Sequence, residues 1–275
     1  MSKGHVIFAQ NSDIDYIRQA YALALSIKKF NTINEVCLIT NDSVPIDYIN
    51  VFDHIVKFPW GDMAEKSQWK VENRWKIIHA TPFKENLVYD SDMLLLESND
   101  YLWQYLQFED VQLTNRVYNY KGDRVLKTFN PYRKVFDQNN LPDVYCGLFY
   151  FKKNKKSFEF FRWVELIMKD YERIYKKFTP NATQKFCSMD VSAAIASDIM
   201  GLCGNQVLSF THMKPGVQGW NVNNLESWQN YVLSYFNSEL ELMIGNYRQS
   251  GLFHYVEDSF LTNTVIKKLE EANEI

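Results

Sequence analysis

Apolar residues come in short runs separated by polar punctuation, and the runs alternate between two periods. Residues 5–10 (HVIFAQ) form a β-rich run; Asn11-Ser12-Asp13 then caps a predicted helix whose apolar positions Tyr16, Ala20, Leu23 and Ile27 recur at helical spacing. The next run, 36–40, ends in Asn41-Asp42. The chain thus opens strand, helix, strand, with a crossover long enough for a parallel βαβ unit. Residues 54–58 predict a third strand, 68–80 a helix that Pro82 stops, and 86–89 (NLVY) a fourth strand. Such alternation predicts an α/β fold with a mostly parallel central sheet flanked by helices. Ligands of these sheets gather beyond the carboxyl ends of the strands, which singles out Asn11 and Asp13, Asn41 and Asp42, then Asp90 and Asp92.

Past residue 110 the pattern loosens. Segments 111–115 and 144–151 predict strands, separated by a basic stretch rich in aromatics (Tyr118, Tyr120, Phe129, Tyr132). Basic and acidic residues over 152–177 alternate as on the solvated face of one long helix, with its core at about 156–176. Helices are also expected at about 188–200 and 261–271, and a strand at about 206–210. No repeat, low-complexity tract or linker interrupts the chain, and 275 residues suffice for one large core, so a single domain is expected.

Composition narrows the classes. No apolar run approaches the roughly 20 residues of a membrane span, and no signal-peptide pattern opens the chain. Cys37, Cys146, Cys187 and Cys203 are widely spaced and read as reduced, mostly buried thiols, which together predicts a cytoplasmic protein. The sequon at Asn181 is given no role. Net charge is -3, yet residues 112–185 carry 16 Lys/Arg against 7 Asp/Glu. That excess reads either as a solvated helical face or as a contact surface for an acidic partner. Among the ten glycines there is no GxGxxG or Walker-like run.

The sharpest chemical signal is Leu87-Val88-Tyr89-Asp90-Ser91-Asp92-Met93-Leu94-Leu95-Leu96. Side chains alternate along a strand, so two aspartates one residue apart at its end face the same side. A divalent ion held by one or two carboxylates and completed by phosphate oxygens is the usual arrangement for Mg2+ or Mn2+ at a diphosphate. A second DxD, Asp13-Ile14-Asp15, lies instead in a predicted cap and helix start.

The segment resembles the DxD strand of GT-A glycosyltransferases, in particular the glycogenin-like family 8. The resemblance covers most of the chain. Phe8-Ala9-Gln10-Asn11, Tyr16 and the helix over 20–29 are similar to the family's nucleotide-binding start, which implies donor-binding roles for Ala9, Asn11 and Tyr16. Arg74 stands where the family places an arginine reaching the donor, with Lys76 as its competitor. The segment 145–151 resembles the family's small-residue strand beside the donor sugar, placing Gly147 there, although Tyr145 and Cys146 replace the polar pair. Ser188-Met189-Asp190-Val191 resembles the Asp-Gln segment below the sugar and makes Asp190 the acceptor-side carboxylate; a helix N-cap is its alternative. The family's third metal ligand is a histidine, for which His254 (LFHY) is favoured, leaving His212 and Lys214 (HMKPG) near the diphosphate or acceptor.

The resemblance implies a GT-A fold with a nucleotide-sugar half of about 1–110 and an acceptor half of about 111–275. It also implies Mn2+- or Mg2+-dependent transfer, with retention, from a nucleoside-diphosphate sugar, UDP first, to an acceptor hydroxyl. Saccharides are the favoured acceptors. DNA bearing a hydroxylated base is the alternative, through aromatics interleaved with Arg116, Lys121, Arg124, Lys127, Arg133 and Lys134. A nucleotide-sugar-binding protein without turnover and a nucleotidyltransferase stay open beside it.

Overall fold

The computed structural model describes residues 2–65, 67, 70–125, 133–180, 187–202, 207–218, 220 and 226–274. Phe129, Tyr132, Lys127, Cys203, the 181–183 sequon, residues 68–69 of the second predicted helix and Gln206 lie outside them. The four early apolar runs become β1 (Lys3–Phe8), β2 (Val36–Ile39), β3 (His54–Val56) and β4 (Glu85–Tyr89). After the acidic pair comes β5 (Met93–Leu95), then β6 (Val111–Thr114), β7 (Arg116–Tyr118) and β8 (Tyr145–Lys152). The last third supplies β9 (Ser209–His212), β10 (Ser234–Phe236), β11 (Leu242–Ile244), β12 (Tyr247–Arg248) and β13 (Leu252–His254).

Among the described residues the main sheet runs β3-β2-β1-β4-β8-β6. Its first four strands are parallel and β8 lies antiparallel to both β4 and β6. A strand covered on both faces must be apolar at every position, and the period of two then sorts its side chains between two cores. In β1, Ile7 enters one core while Val6 and Phe8 enter the other; in β4, Leu87 and Tyr89 oppose Val88. The helix Tyr16–Phe30, capped by Asp15, which accepts from the Arg18 amide, covers the first face together with the C-terminal helix Asn263–Ala272. Burying each of Leu23, Leu25 and Ile27 there contributes about 1.5–3 kcal/mol. Helices Lys155–Lys169 and Met189–Met200 cover the second face.

A second sheet, β5-β13-β9-β7, packs into the first core. Its β5 belongs to the first half of the sequence and its partners to the second, while β6 and β8 complete the main sheet, so the change of character near residue 110 does not divide the sheets. β10, β11 and β12 form a small antiparallel sheet.

The helical segment expected over 152–177 is two helices, Lys155–Lys169 and Tyr171–Phe178, separated at Asp170. The i,i+4 pairs still form within them, Glu165 with Lys169 at 2.5 Å and Glu172 with Lys176 at 2.6 Å. The segment before Pro82 is a tighter 3-10 turn, Val71–Lys76, running into Ile77–Ala80. No helix among the described residues is long and apolar enough to cross a membrane. Cys37, Cys146 and Cys187 are free.

Candidate active site

Asp90 leaves the carboxyl end of β4, where its amide donates to the Gly147 carbonyl at 2.8 Å. Three residues later the chain enters β5, which pairs with β13 so that Met93 faces His254. A switch from one sheet to the other within three residues therefore sets both aspartates beside a histidine far away in sequence. Single ligand atoms of Asp90, Asp92 and His254 all lie within 4.8 Å of one another. Asp92 Oδ2 is 2.9 Å from His254 Nε2, and Asp90 is ion-paired with Arg74.

Electrostatics follow from crowding. Burial alone would push the His254 pKa down, but the adjacent Asp92 carboxylate, its bond and Asp90 raise it on balance. Burial likewise opposes charge on Arg74, and the Asp90 carboxylate more than offsets it. His254 is 4% exposed, and among the described residues its Nδ1 has no hydrogen-bond partner. Two carboxylates and an imidazole in one cluster, with a buried nitrogen unsatisfied, fit a divalent cation of the Mn2+ or Mg2+ kind. Gly147 is part of the fit, because a Cβ there would stand 2.8 Å from Met93 Cε and 3.0 Å from Asp90 Oδ2.

His212 lies beside His254. The two residues are direct partners across the parallel pair β9 and β13, with ring centroids 4.6 Å apart. Burial, followed by the neighbouring His254, holds the His212 pKa well below its ordinary value, so this ring is neutral. Its Nε2 is 3.3 Å from the Tyr145 hydroxyl. Lys214 follows on an exposed turn at the start of the short helix Pro215–Val217.

The residues expected on the nucleotide side stand at or near the carboxyl ends of β1 and β2. Ala9 donates to Ile39 O at 3.1 Å, and the Asn11 amide donates to Asp42 Oδ2 at 2.6 Å, tying the two strand ends together. The Asn11 side chain accepts from the Ile17 amide at 3.0 Å, a bond that supports the helix start. Tyr16 opens that helix; burial and then the charge of Asp92 push its hydroxyl up to about 12, which places it within electrostatic reach of the acidic pair. Lys76, the competitor of Arg74, turns away: its amine donates to Asn73 Oδ1 at 2.7 Å and to Gly61 O.

Asp190 sits in the first turn of Met189–Met200, but Ser188 caps that helix. The carboxylate reaches across to β8 instead, where Oδ1 accepts from the Cys146 amide at 2.7 Å and Oδ2 from Arg133 Nη1 at 2.9 Å. Burial raises its pKa and Arg133 opposes the rise. Arg133 corrects the expectation placed on it. Its side chain is 6% exposed and bound to Asp190, Asp143 and the Val144 carbonyl, so it is withdrawn from the basic surface imagined for DNA. Sequence reasoning also missed Tyr145, read as a mere departure from the polar pair: its ring centroid lies 5.1 Å from that of His212 and 6.1 Å from that of His254. The signal for Arg133 was the apolar pair Val135-Phe136 just after it, which marks a segment turned inward.

No protein-family model matches the chain, and no curated protein is detectably similar to it in sequence. Solved structures are similar. An active-site mutant of LgtC aligns with a TM-score of 0.54 at 12% identity, covering 98% of this chain and 95% of that one. The galactosyltransferase LgtC in complex with donor and acceptor sugar analogues aligns at 0.52 and 12%, over 98% and 94%. The chain has the GT-A glycosyltransferase fold. GlyE of Streptococcus pneumoniae, which with LgtC belongs to family 8, also aligns, at a TM-score of 0.39 and 16% identity in its apo form; this chain spans 43% of its length.

Proposed function

We propose that this protein is a metal-dependent glycosyltransferase that moves a sugar from a nucleoside-diphosphate sugar, UDP first, to an acceptor hydroxyl with retention. The observation that carries the reading is the meeting of Asp90, Asp92 and His254 at the carboxyl end of β4 in a GT-A fold. Those three residues would hold Mn2+ or Mg2+, which supplies charge neutralisation for the departing diphosphate. Ala9, Asn11 and Tyr16 bind the nucleoside, with about 1–110 as the nucleotide-sugar half of one catalytic unit and about 111–275 as the acceptor half. Arg74 orients Asp90, the exposed Lys214 meets the diphosphate, and Gly147 lets β8 approach Asp90 closely on the donor side. Asp190, with a donor on each oxygen, supports the acceptor side through β8. The free thiols support action in the cytoplasm.

A saccharide acceptor is favoured over DNA, since the burial of Arg133 removes one cation from the basic stretch. Hydrolysis of a nucleotide-sugar panel with Mn2+, repeated after EDTA, tests the reading: turnover of one donor that EDTA abolishes is expected, and turnover indifferent to EDTA overturns it. Calorimetric titration of UDP with and without Mn2+ ranks the histidines. His254→Ala should weaken metal-dependent binding more than His212→Ala, and the reverse order would move the ligand to His212.

A further inference from the structure

We propose that Arg133 is a positioning residue: it fixes the Asp190 carboxylate against the first residues of β8 and so sets Tyr145 against the neighbouring rings of His212 and His254. The role rests on the glycosyltransferase reading above. Arg133 comes just before the short helix Lys134–Gln138, and its guanidinium points inward. Nη1 bonds to Asp190; Nη2 bonds to Asp143 and, at 2.5 Å, to the Val144 carbonyl. The guanidinium carbon lies 4.1 Å from the Phe136 ring centroid and 5.6 Å from that of Tyr145. A guanidinium offers several donors in a rigid plane, so one side chain can bind a helix start, a loop carboxylate and a strand carbonyl at once.

The consequence passes along β8. Asp190 uses its other oxygen for the Cys146 amide, Tyr145 lies between that amide and the Val144 carbonyl, and Gly147 O receives the Asp90 amide. Both peptide groups flanking Tyr145 are therefore held by the same ion pair. Its ring then has a fixed place, with the hydroxyl 3.3 Å from His212 Nε2. Without Arg133, Asp190 would be a buried carboxylate missing its main cationic partner, and the entry to β8 would loosen while Asp90, Asp92 and His254 kept their own contacts.

This separates turnover from metal and donor binding. In Arg133→Met, kcat for donor hydrolysis should fall about a hundredfold, as expected when reacting groups are displaced by about an ångström, while Mn2+-dependent UDP affinity stays within about threefold. Arg133→Lys should recover about tenfold of the loss, and Arg133→Met/Asp190→Asn should be no worse than Arg133→Met alone, because the two residues act as one unit. Retained kcat in Arg133→Met, or equal losses of kcat and affinity that Lys does not relieve, would overturn the proposal. A readout independent of turnover is the imidazole NMR spectrum. Arg133→Met should shift the His212 resonances and leave those of His5 in place, and an unmoved His212 refutes the positioning role even if no donor is ever turned over. Absence of donor turnover and of Mn2+-dependent UDP binding in the wild type would instead count against the glycosyltransferase reading.

Discussion

Two acidic clusters lie against β8, and they are satisfied in opposite ways. Asp190 has a donor on each oxygen, one from the Cys146 amide and one from Arg133, which is itself bound to Asp143. Asp90 and Asp92, paired with Arg74 and His254, are instead crowded together at one point, and the Nδ1 of His254 has no partner among the described residues. The first cluster is complete within the protein. The second gathers negative charge and lone pairs at one point and gains from a cation supplied from outside. A carboxylate held inside the fold is thus a poor guide to function by itself; the discriminating feature is whether several ligand atoms converge on one point.

The contrast predicts opposite responses to truncation. Asp92→Ala should reduce turnover by about a thousandfold or more, since it removes a ligand for the ion that stabilises the leaving group, yet shift the metal-free unfolding midpoint little. Activity assays paired with thermal melts check this, and full activity in the variant would erase the distinction between the clusters. Asp190→Ala should destabilise by about 3 kcal/mol, because it breaks a buried pair and strips Arg133 of one of its two carboxylates. Denaturant titration measures it, and a loss within a few tenths of a kcal/mol would show that Asp143 alone satisfies Arg133.

Acid sensitivity has to be separated from either site, and His5 is the group to watch. It is fully buried, its Nε2–H donates to Ile33 O at 2.7 Å, and Nδ1 accepts from the Tyr89 hydroxyl at 2.9 Å. Burial lowers its pKa from 6.5 to about 4. The unfolded chain therefore binds a proton that the folded chain refuses between those values, so stability falls as pH drops from about 6.5 to about 4, by about 3 kcal/mol in all. Denaturant titrations across that range should show the slope in the wild type and a clearly shallower one in His5→Asn, the remainder coming from other buried imidazoles such as His212. Comparing the two clusters at pH 7 or above removes this contribution. The smallest expected effect is that of Gly147→Ala, whose Cβ would press on Asp90 Oδ2 and Met93. Displacing that carboxylate should weaken Mn2+ binding about tenfold, as for supporting contacts around a metal site. Paramagnetic titration would show it, and unchanged affinity would mean that the acidic cluster yields without cost.

The parallel half of the main sheet was legible because continuous apolar runs with polar stops are local signals: all four of its strands stand within a few residues of their predicted bounds. Asp90 and Asp92 were legible for the same reason. The bond of Asp92 to His254 was not, since it depends on β5 leaving the main sheet to pair with β13, and a three-residue strand carries almost no periodicity. Arg133 was misread because charge counting registers how many cations a stretch has and not which way each points. Asp170 ended a helix whose charge alternation continued past it, so the surface pattern hid the break.

The antiparallel pairing of β5 with β13 also bears on how the chain holds together. Asp92 and His254 are 162 positions apart in sequence, yet face one another across neighbouring strands. An ion bound by both would act as a removable crosslink over most of the polypeptide, and because the unfolded chain rarely assembles those ligands, its binding energy would add to the folding equilibrium. Such a clasp would grow stronger with the logarithm of free metal concentration and vanish with a chelator, and the resistance of this protein to heat and proteases would then follow the metal supply around it.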